Sequence, residues 1–500
     1  MTDYVYKLIK GAGIIFSMSI LESAFGYFIR ILLAKRLTME EFGLFFAVYS
    51  IVLVVGSIKS LGTGAALQKF IPEYQINNEN GKIKSLLSYV FSFNLLTSLV
   101  LLITFYFFPE GLINTYFKSD LAKPLLLLLF IFVSIDSFSK LISAYFLSRH
   151  FSFLYSIEPL IAKASILILL LVMAEINVLG ASWIHIVTAS LALAVNFSLF
   201  FRHFSFFRYK ALITKRLIKE IFTFTYPLTI RSVFGVLMAR VDTLALVYFR
   251  PLLEVAIYNA ILPTADILLM FGRSFGKIIF PMSSELWILN NKEKIVFLVK
   301  KVHFYLFLLS APLVLMMSVF SRSILKILFG IGYAEGALGL QILAASFLFG
   351  GMNIFSSGVL MGIGKPKEAT KAIIVVNILN LGLNFLLIPF FGKYALGYLG
   401  AIIATAFCQI LLFFTFWYYL KRFVDYSPPF KKFFLLSTIG FSLFIVGLTI
   451  TERITNIYTQ MIVFALIVAI FYPLLLLMYD LISKKEIMQF RNMLNRKKNI

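Results

Sequence analysis

Leu121 to Leu147 reads LAKPLLLLLFIFVSIDSFSKLISAYFL, and Met461 to Met478 reads MIVFALIVAIFYPLLLLM. At a rise of about 1.5 Å per residue, each stretch is long enough to cross a hydrocarbon core of about 30 Å as a helix. Neither alternates with period two, so a closed β-barrel is disfavoured. The rest of the chain repeats the pattern. Of 500 residues, 60% are apolar and 28 more are Gly, against roughly 45–50% for both together in soluble domains. An all-α integral membrane protein follows, and punctuation by charge, Pro and Gly gives about fourteen transmembrane helices, the first over 11–36 and the last over 457–481.

Several chemistries are excluded early. Cys408 is the single cysteine, so neither a disulfide framework nor a thiolate metal cluster can be built within the chain. His150, His185, His203 and His303 are scattered without metal-binding spacing. No metal or cofactor is expected, and no enzymatic activity. Lys7 and Lys10 precede an apolar stretch that runs past Ala34 with no small-residue cleavage site, so it reads as a retained first helix.

The net charge of +23 would suggest nucleic acid in a soluble protein, but here its location gives it another meaning. With both termini cytoplasmic, 29 of the 46 Lys and Arg fall on the inner connections and ends, and 9 on the outer ones. That bias orients the chain with both ends in the cytoplasm of a cell membrane. The richest segments, 202–219 and Lys484 to Lys498, read as surfaces touching water and lipid headgroups.

A weak internal repeat is visible. Ser23-Ala24-Phe25-Gly26 matches Ser232-Val233-Phe234-Gly235, Glu41-Phe42-Gly43-Leu44-Phe45 matches Glu254-Val255-Ala256-Ile257-Tyr258, and Ala144 to His150 matches Gly358 to Gly364. Six spans per unit give two parallel lobes about a pseudo-two-fold along the membrane normal, a transporter design that uses alternating access. The expected organisation is a six-helix lobe over 1–205, a basic linker over 206–219, a second six-helix lobe over 220–422, two extra helices over 431–482 and a basic tail over 483–500.

Charges inside spans sharpen this. A single Lys, Arg or Asp at the centre of a lipid-facing helix costs roughly 2.5 kcal/mol or more, so such residues should face protein or water. Glu22, Gly26 and Arg30 share one side of span 1; Asp136 and Lys140 are four apart in span 4; Asp266, Met270, Arg273 and Lys277 follow one face of span 8. In span 7, Arg231 and Asp242 nearly align, whereas Arg240 points the other way. Counting along each span puts Glu22, Asp136 and Asp266 near the midplane, and Lys59, Lys140, Lys163, Arg231, Arg273 and Lys277 in the cytoplasmic half. A cationic inner half suits a substrate that carries phosphate. The bland alternative is that Asp136 with Lys140, and Asp266 with Arg273, are ion pairs between or along helices, while the lysines snorkel.

Further stretches follow in order: Leu61-Gly62, Phe70-Ile71-Pro72-Glu73-Tyr74, Tyr226-Pro227-Leu228, Arg240-Val241-Asp242, Ile257-Tyr258-Asn259-Ala260, Leu328-Phe329-Gly330 with Tyr333-Ala334, and Val359 to Pro366. With Glu41 to Phe45 they give a chain that resembles, over nearly its whole length, the polysaccharide-export or O-antigen flippase branch of the multidrug/oligosaccharidyl-lipid/polysaccharide exporter superfamily. The resemblance implies two lobes around a central cavity, with spans 1, 2, 7 and 8 at a lateral portal. It implies transfer of polyprenyl-pyrophosphate-linked oligosaccharide from the cytoplasmic to the outer leaflet, with a polysaccharide polymerase and glycosyltransferases as partners. Lipid II flippases of the superfamily keep arginines in helices corresponding to those of Arg30, Lys59 and Arg273; lysine at the second position departs from them and loses the bidentate fork. The pyrophosphate site is therefore expected at Arg30, Lys59, Lys140, Arg231, Arg273 and Lys277, and a coupling Na+ or proton at Glu22, Asp136, Asp266 or Asp242. The alternatives are an ion-coupled multidrug extruder of the same superfamily and, from another class, a membrane glycosyltransferase or polymerase. The outer connection over 109–123 is too short to hold an enzyme domain.

Overall fold

The computed structural model describes residues 2–481 apart from 174, 212, 213 and 480, with side chains from Gly13 onward except that of Lys277. The tail expected over 483–500 lies outside the described residues. The described residues are helical almost throughout. Its first eight helices are α1 (Thr2–Arg36), α2 (Met39–Lys59), α3 (Thr63–Ile76), α4 (Asn80–Tyr106), α5 (Glu110–Phe117), α6 (Ala122–Ser148), α7 (Ser152–Val172) and α8 (Val178–His203). The next eight are α9 (Lys215–Phe249), α10 (Leu252–Asp266), α11 (Leu269–Ile288), α12 (Lys292–Val319), α13 (Ser321–Leu328), α14 (Ala337–Gly362), α15 (Pro366–Gly392) and α16 (Gly397–Val424). They recur in the same order: a long helix, a broken pair, a long helix, an eight-residue helix, then three more. α17 (Phe430–Arg453) and α18 (Ile457–Met478) follow outside the repeat.

Among the described residues, thirteen helical segments are long and apolar enough to cross a membrane, and fourteen if the bent pair α10 and α11 counts as one. That bend, of 49°, differs from the single straight span 8 that periodicity suggests. Pro263 lies inside α10, about one turn before the bend, where it removes a helical N–H and crowds the turn that precedes it. The matching break between α2 and α3 falls at Leu61 and Gly62, both with positive φ. Gly62 supports this at φ +65°, where a side chain would be strained.

Packing divides the chain into two units, one comprising Met1–Ala260 with Ile388–Tyr398, the other Ile261–Leu387 with Leu399–Ile500. The internal repeat and the packing units are thus cut at different places, because α9 and the first part of α10 belong with the first unit. In that unit α1 packs on α7, α6 on α8, and α2 on both α6 and α9. An aromatic core in it is built around Phe70, Tyr145, Phe146 and Phe200. In the second unit α17 and α18 pack on α12. There His303, buried, bonds Tyr426 Oη through Nδ1 at 2.6 Å and Ser356 Oγ through Nε2 at 3.0 Å, tying α12, α14 and the segment before α17 together. Burial pushes the Tyr426 hydroxyl pKa up.

The start of α2 shows how the sequence fixes a helix end. Thr38 Oγ1 accepts from Glu41 N at 3.2 Å while Glu41 Oε2 accepts from Thr38 N at 3.1 Å, a reciprocal capping box. The other carboxylate oxygen of Glu41 accepts from Val178 N at 3.2 Å, one of the amides that α8 leaves unpaired at its start. Glu254, the repeat-equivalent residue, accepts from Tyr398 N at 2.9 Å at the start of α16. The same carboxylate therefore does the same work in both repeats: it holds one helix start against another.

In the second unit, α11 meets α14 through glycines. Gly272 and Gly276 of α11 lie against Gly351 and Gly358 of α14, and a Cβ on Gly272 would stand 2.5 Å from the Gly351 backbone. Small residues at four-residue spacing let helices approach closely where lipid supplies no hydrophobic drive. Gly272→Ala is expected to destabilise the protein by about 1–3 kcal/mol through overpacking, whereas Gly235→Ala, which opens onto free space, should be neutral or gain up to about 1 kcal/mol from helix propensity. Thermal unfolding of the two variants in detergent separates these outcomes.

Candidate functional site in the first unit

A cavity of about 750 Å³ opens within the first unit, walled by α1, α2, α3, α6, α7 and α8. Six acidic or basic side chains of the Asp, Glu, Lys and Arg type line it: Glu22 and Arg30 from α1, Asp136 and Lys140 from α6, Glu158 and Lys163 from α7. Three carboxylates thus meet three cations. Lys140 Nζ pairs with Asp136 Oδ2 at 2.5 Å, as their four-residue spacing on one helix face allows. Lys163 Nζ reaches across from α7 to Glu22 Oε1 at 2.9 Å. It passes over Gly26, where an added Cβ would stand 3.3 Å from its ammonium. Glu158 is buried, with Ser143 Oγ at 3.5 Å.

Arg30 is held differently. Its guanidinium carbon sits 4.0 Å from the centre of the Phe46 ring, and Nη1 donates to the Asn259 carbonyl at 2.6 Å. That carbonyl would ordinarily accept from the residue four positions on, which is Pro263 and has no N–H. The guanidinium takes the acceptor that proline leaves over. Such a cation–π contact and a charge-assisted bond fix the planar group in one orientation.

The other residues read from the sequence lie elsewhere. Lys59 is buried outside the cavity, donating to Ser137 Oγ at 2.8 Å, and Ser137 is in turn bonded to Asn94 of α4. Asp242 accepts from Tyr258 Oη at 2.5 Å. Arg231 is exposed on α9. In the second unit, Arg273 Nη2 donates to both oxygens of Asp266 at 2.7 and 2.8 Å, so the pair forms across the bend between α10 and α11. The continuous face read through Asp266, Met270, Arg273 and Lys277 is broken by that bend, and the side chain of Lys277 lies outside the described residues. Glu158 and Lys163 enter the cavity although sequence reasoning left them out of the site. The signal for them was the pair of opposite charges on span 5, meaningful only once α7 is known to pack on α1.

Among the described residues no cluster of three or more His, Cys, Asp or Glu has the geometry to hold a metal ion.

Comparison with known proteins places this architecture. A family described as polysaccharide biosynthesis protein matches residues 8–287. An uncharacterized membrane protein of Methanocaldococcus jannaschii is 26% identical over 92% of this chain and 93% of its own length. The capsular polysaccharide biosynthesis protein CapF of Staphylococcus aureus is 28% identical over 41% of this chain and 50% of its own. The probable low-salt glycan biosynthesis flippase Agl15 of Haloferax volcanii is 25% identical over 38% of this chain and 39% of its own. Among solved structures, the lipid II flippase MurJ in an inward closed conformation superposes with a TM-score of 0.72 at 17% identity, covering 93% of this chain and 99% of that one. An inward-facing multidrug resistance transporter of the MATE family superposes with a TM-score of 0.64 at 14% identity, covering 83% of this chain and 98% of that one. These likenesses show the fold. The matched family covers more than half of the chain, so this multi-pass membrane protein belongs to the polysaccharide biosynthesis protein family.

Proposed function

We propose that the protein is a flippase that carries polyprenyl-pyrophosphate-linked oligosaccharide from the cytoplasmic to the outer leaflet by alternating access. The observation that carries this reading is the cavity of about 750 Å³ with Arg30, Lys140 and Lys163 on its walls. Its volume lies within the usual range for small-molecule sites of about 300–1,000 Å³, which suits a phosphate-bearing headgroup. The family and the flippase named among its relatives point the same way.

The cavity's charges are balanced, three against three. A pyrophosphate therefore binds by competing with Glu22, Asp136 and Glu158 for the cations they face. Arg30, Lys140 and Lys163 are assigned to the pyrophosphate, with Arg30 supplying the planar fork that matches two phosphate oxygens. The released carboxylates are where a coupling Na+ or proton would be taken up. Lys59, Arg231, Arg273, Lys277, Asp242 and Asp266 remain candidates in the same assay.

The deciding experiment follows headgroup accessibility in proteoliposomes loaded with a polyprenyl-pyrophosphate oligosaccharide. Protein-dependent transfer supports the flippase. No transfer, alongside efflux of an organic cation under an ion gradient, would sink it and assign the three carboxylates to a multidrug extruder.

A further inference from the structure

A second cavity, of about 660 Å³, lies in the second unit between the amino end of α12 and the carboxyl end of α16. It belongs to no part of the site above. From α12 it takes Lys292, Val296 and Lys300 at four-residue spacing, hence on one helix face, and from the end of α16 it takes Lys421 and Arg422. Glu293 and Asp425 also line it, so four cations face two carboxylates. Among the described residues, none of the four cations is in an ion pair. Lys292 lies 5.3 Å from the centre of the Trp287 ring, and Arg422 lies 5.8 Å from that of Phe423, which Lys365 also approaches at 4.9 Å.

Like charges held around one hollow repel each other, and an anion relieves that repulsion. The surroundings identify the kind of anion. Lys292 is the first residue of a membrane-crossing helix, and Phe297, one turn further in, is 57% exposed on the cavity wall. Charge at the helix end followed by an exposed aromatic ring matches the boundary between headgroups and acyl chains. The distribution of Lys and Arg puts this boundary on the cytoplasmic side, where anionic lipids attract basic clusters. We infer that this basic and aromatic cavity binds the phosphate headgroup of an anionic membrane phospholipid, with its acyl chains lying along α12. The inference is independent of what the transport cavity carries.

The test uses the full chain in detergent, titrated with phosphatidylglycerol or phosphatidylcholine and observed by native mass spectrometry. Wild type is expected to retain phosphatidylglycerol in preference to phosphatidylcholine, and millimolar inorganic phosphate should not displace it. The triple variant Lys300→Gln, Lys421→Gln, Arg422→Gln should lose that preference by on the order of tenfold or more, while Lys393→Gln, outside the cavity, should keep it. All three substituted side chains are exposed, and circular dichroism of the variant verifies that the helices persist. The pair Lys421→Gln, Arg422→Gln alone should give an intermediate loss. An unchanged preference in the triple variant overturns the inference, as does an equal loss in Lys393→Gln. Displacement by inorganic phosphate alone overturns the lipid assignment in favour of a soluble anion.

Discussion

Arg30→Ala is expected to cut lipid-linked oligosaccharide transfer by about a hundredfold or more. Two charge-assisted bonds to phosphate at about 1.5–3 kcal/mol each set that scale. The expectation rests on how the guanidinium is held: the Phe46 ring on one face and the Asn259 carbonyl at Nη1 fix it in one orientation at the cavity wall. Arg30→Lys keeps the charge but loses the fork, so transfer should fall between the two. Because alanine also deprives the Asn259 carbonyl of this partner, a stability loss of about 1–3 kcal/mol should accompany it. Comparing transfer per folded molecule, with folding monitored by size exclusion and thermal unfolding, separates the effects. Unimpaired transfer by Arg30→Ala would remove this residue from the site.

Glu254→Ala is expected to be the most destabilising of the substitutions considered, by about 3–5 kcal/mol, because breaking a buried ion pair leaves an uncompensated charge. Arg250 donates to Glu254 from Nε at 2.7 Å and from Nη2, and Tyr398 N donates to the other oxygen. The Glu254 side chain is 6% exposed and that of Arg250 17%. The chain leaves room for them: a Cβ on Gly397 would stand 2.7 Å from Arg250 and 2.8 Å from Glu254 Oε2. Alanine strands a guanidinium and a helix-start amide together. The double variant Arg250→Ala, Glu254→Ala should recover part of the loss, since the unpaired charge is gone, and Glu41→Ala should cost only about 1–2 kcal/mol, the scale of a lost cap. Thermal midpoints in detergent measure all three. A loss under about 1 kcal/mol for Glu254→Ala would mean that the pair behaves as a solvated surface bridge.

Hydropathy made the helices legible because crossing a membrane is a matter of length and composition. It passed straight through Leu61 and Gly62, since an apolar run does not record where hydrogen bonding lapses. The bend after Asp266 has only an indirect mark, Pro263 inside α10 about one turn earlier. Within the cavity, the Asp136–Lys140 pair follows from spacing on one helix, and the shared side of Glu22, Gly26 and Arg30 follows likewise. The Glu22–Lys163 pair could not be read, because it depends on α1 lying against α7, a tertiary fact that single-helix periodicity does not contain. Lys59 looked equivalent to the cavity cations by depth, but its direction, toward Ser137, is set by the neighbouring helix. The same limit explains Arg30: charge and side were visible, while its carbonyl partner required knowing which helix approaches.

The glycine seam between α11 and α14 has a mechanical consequence. Where backbone rests on backbone there are few side-chain rotamers to rearrange, and so little compliance at the joint. A torque on one of these helices is passed to the other instead of being absorbed between them, so the pair acts as a single stiff beam. Its flexible point is then the short turn before Leu269, where α10 ends and the beam begins.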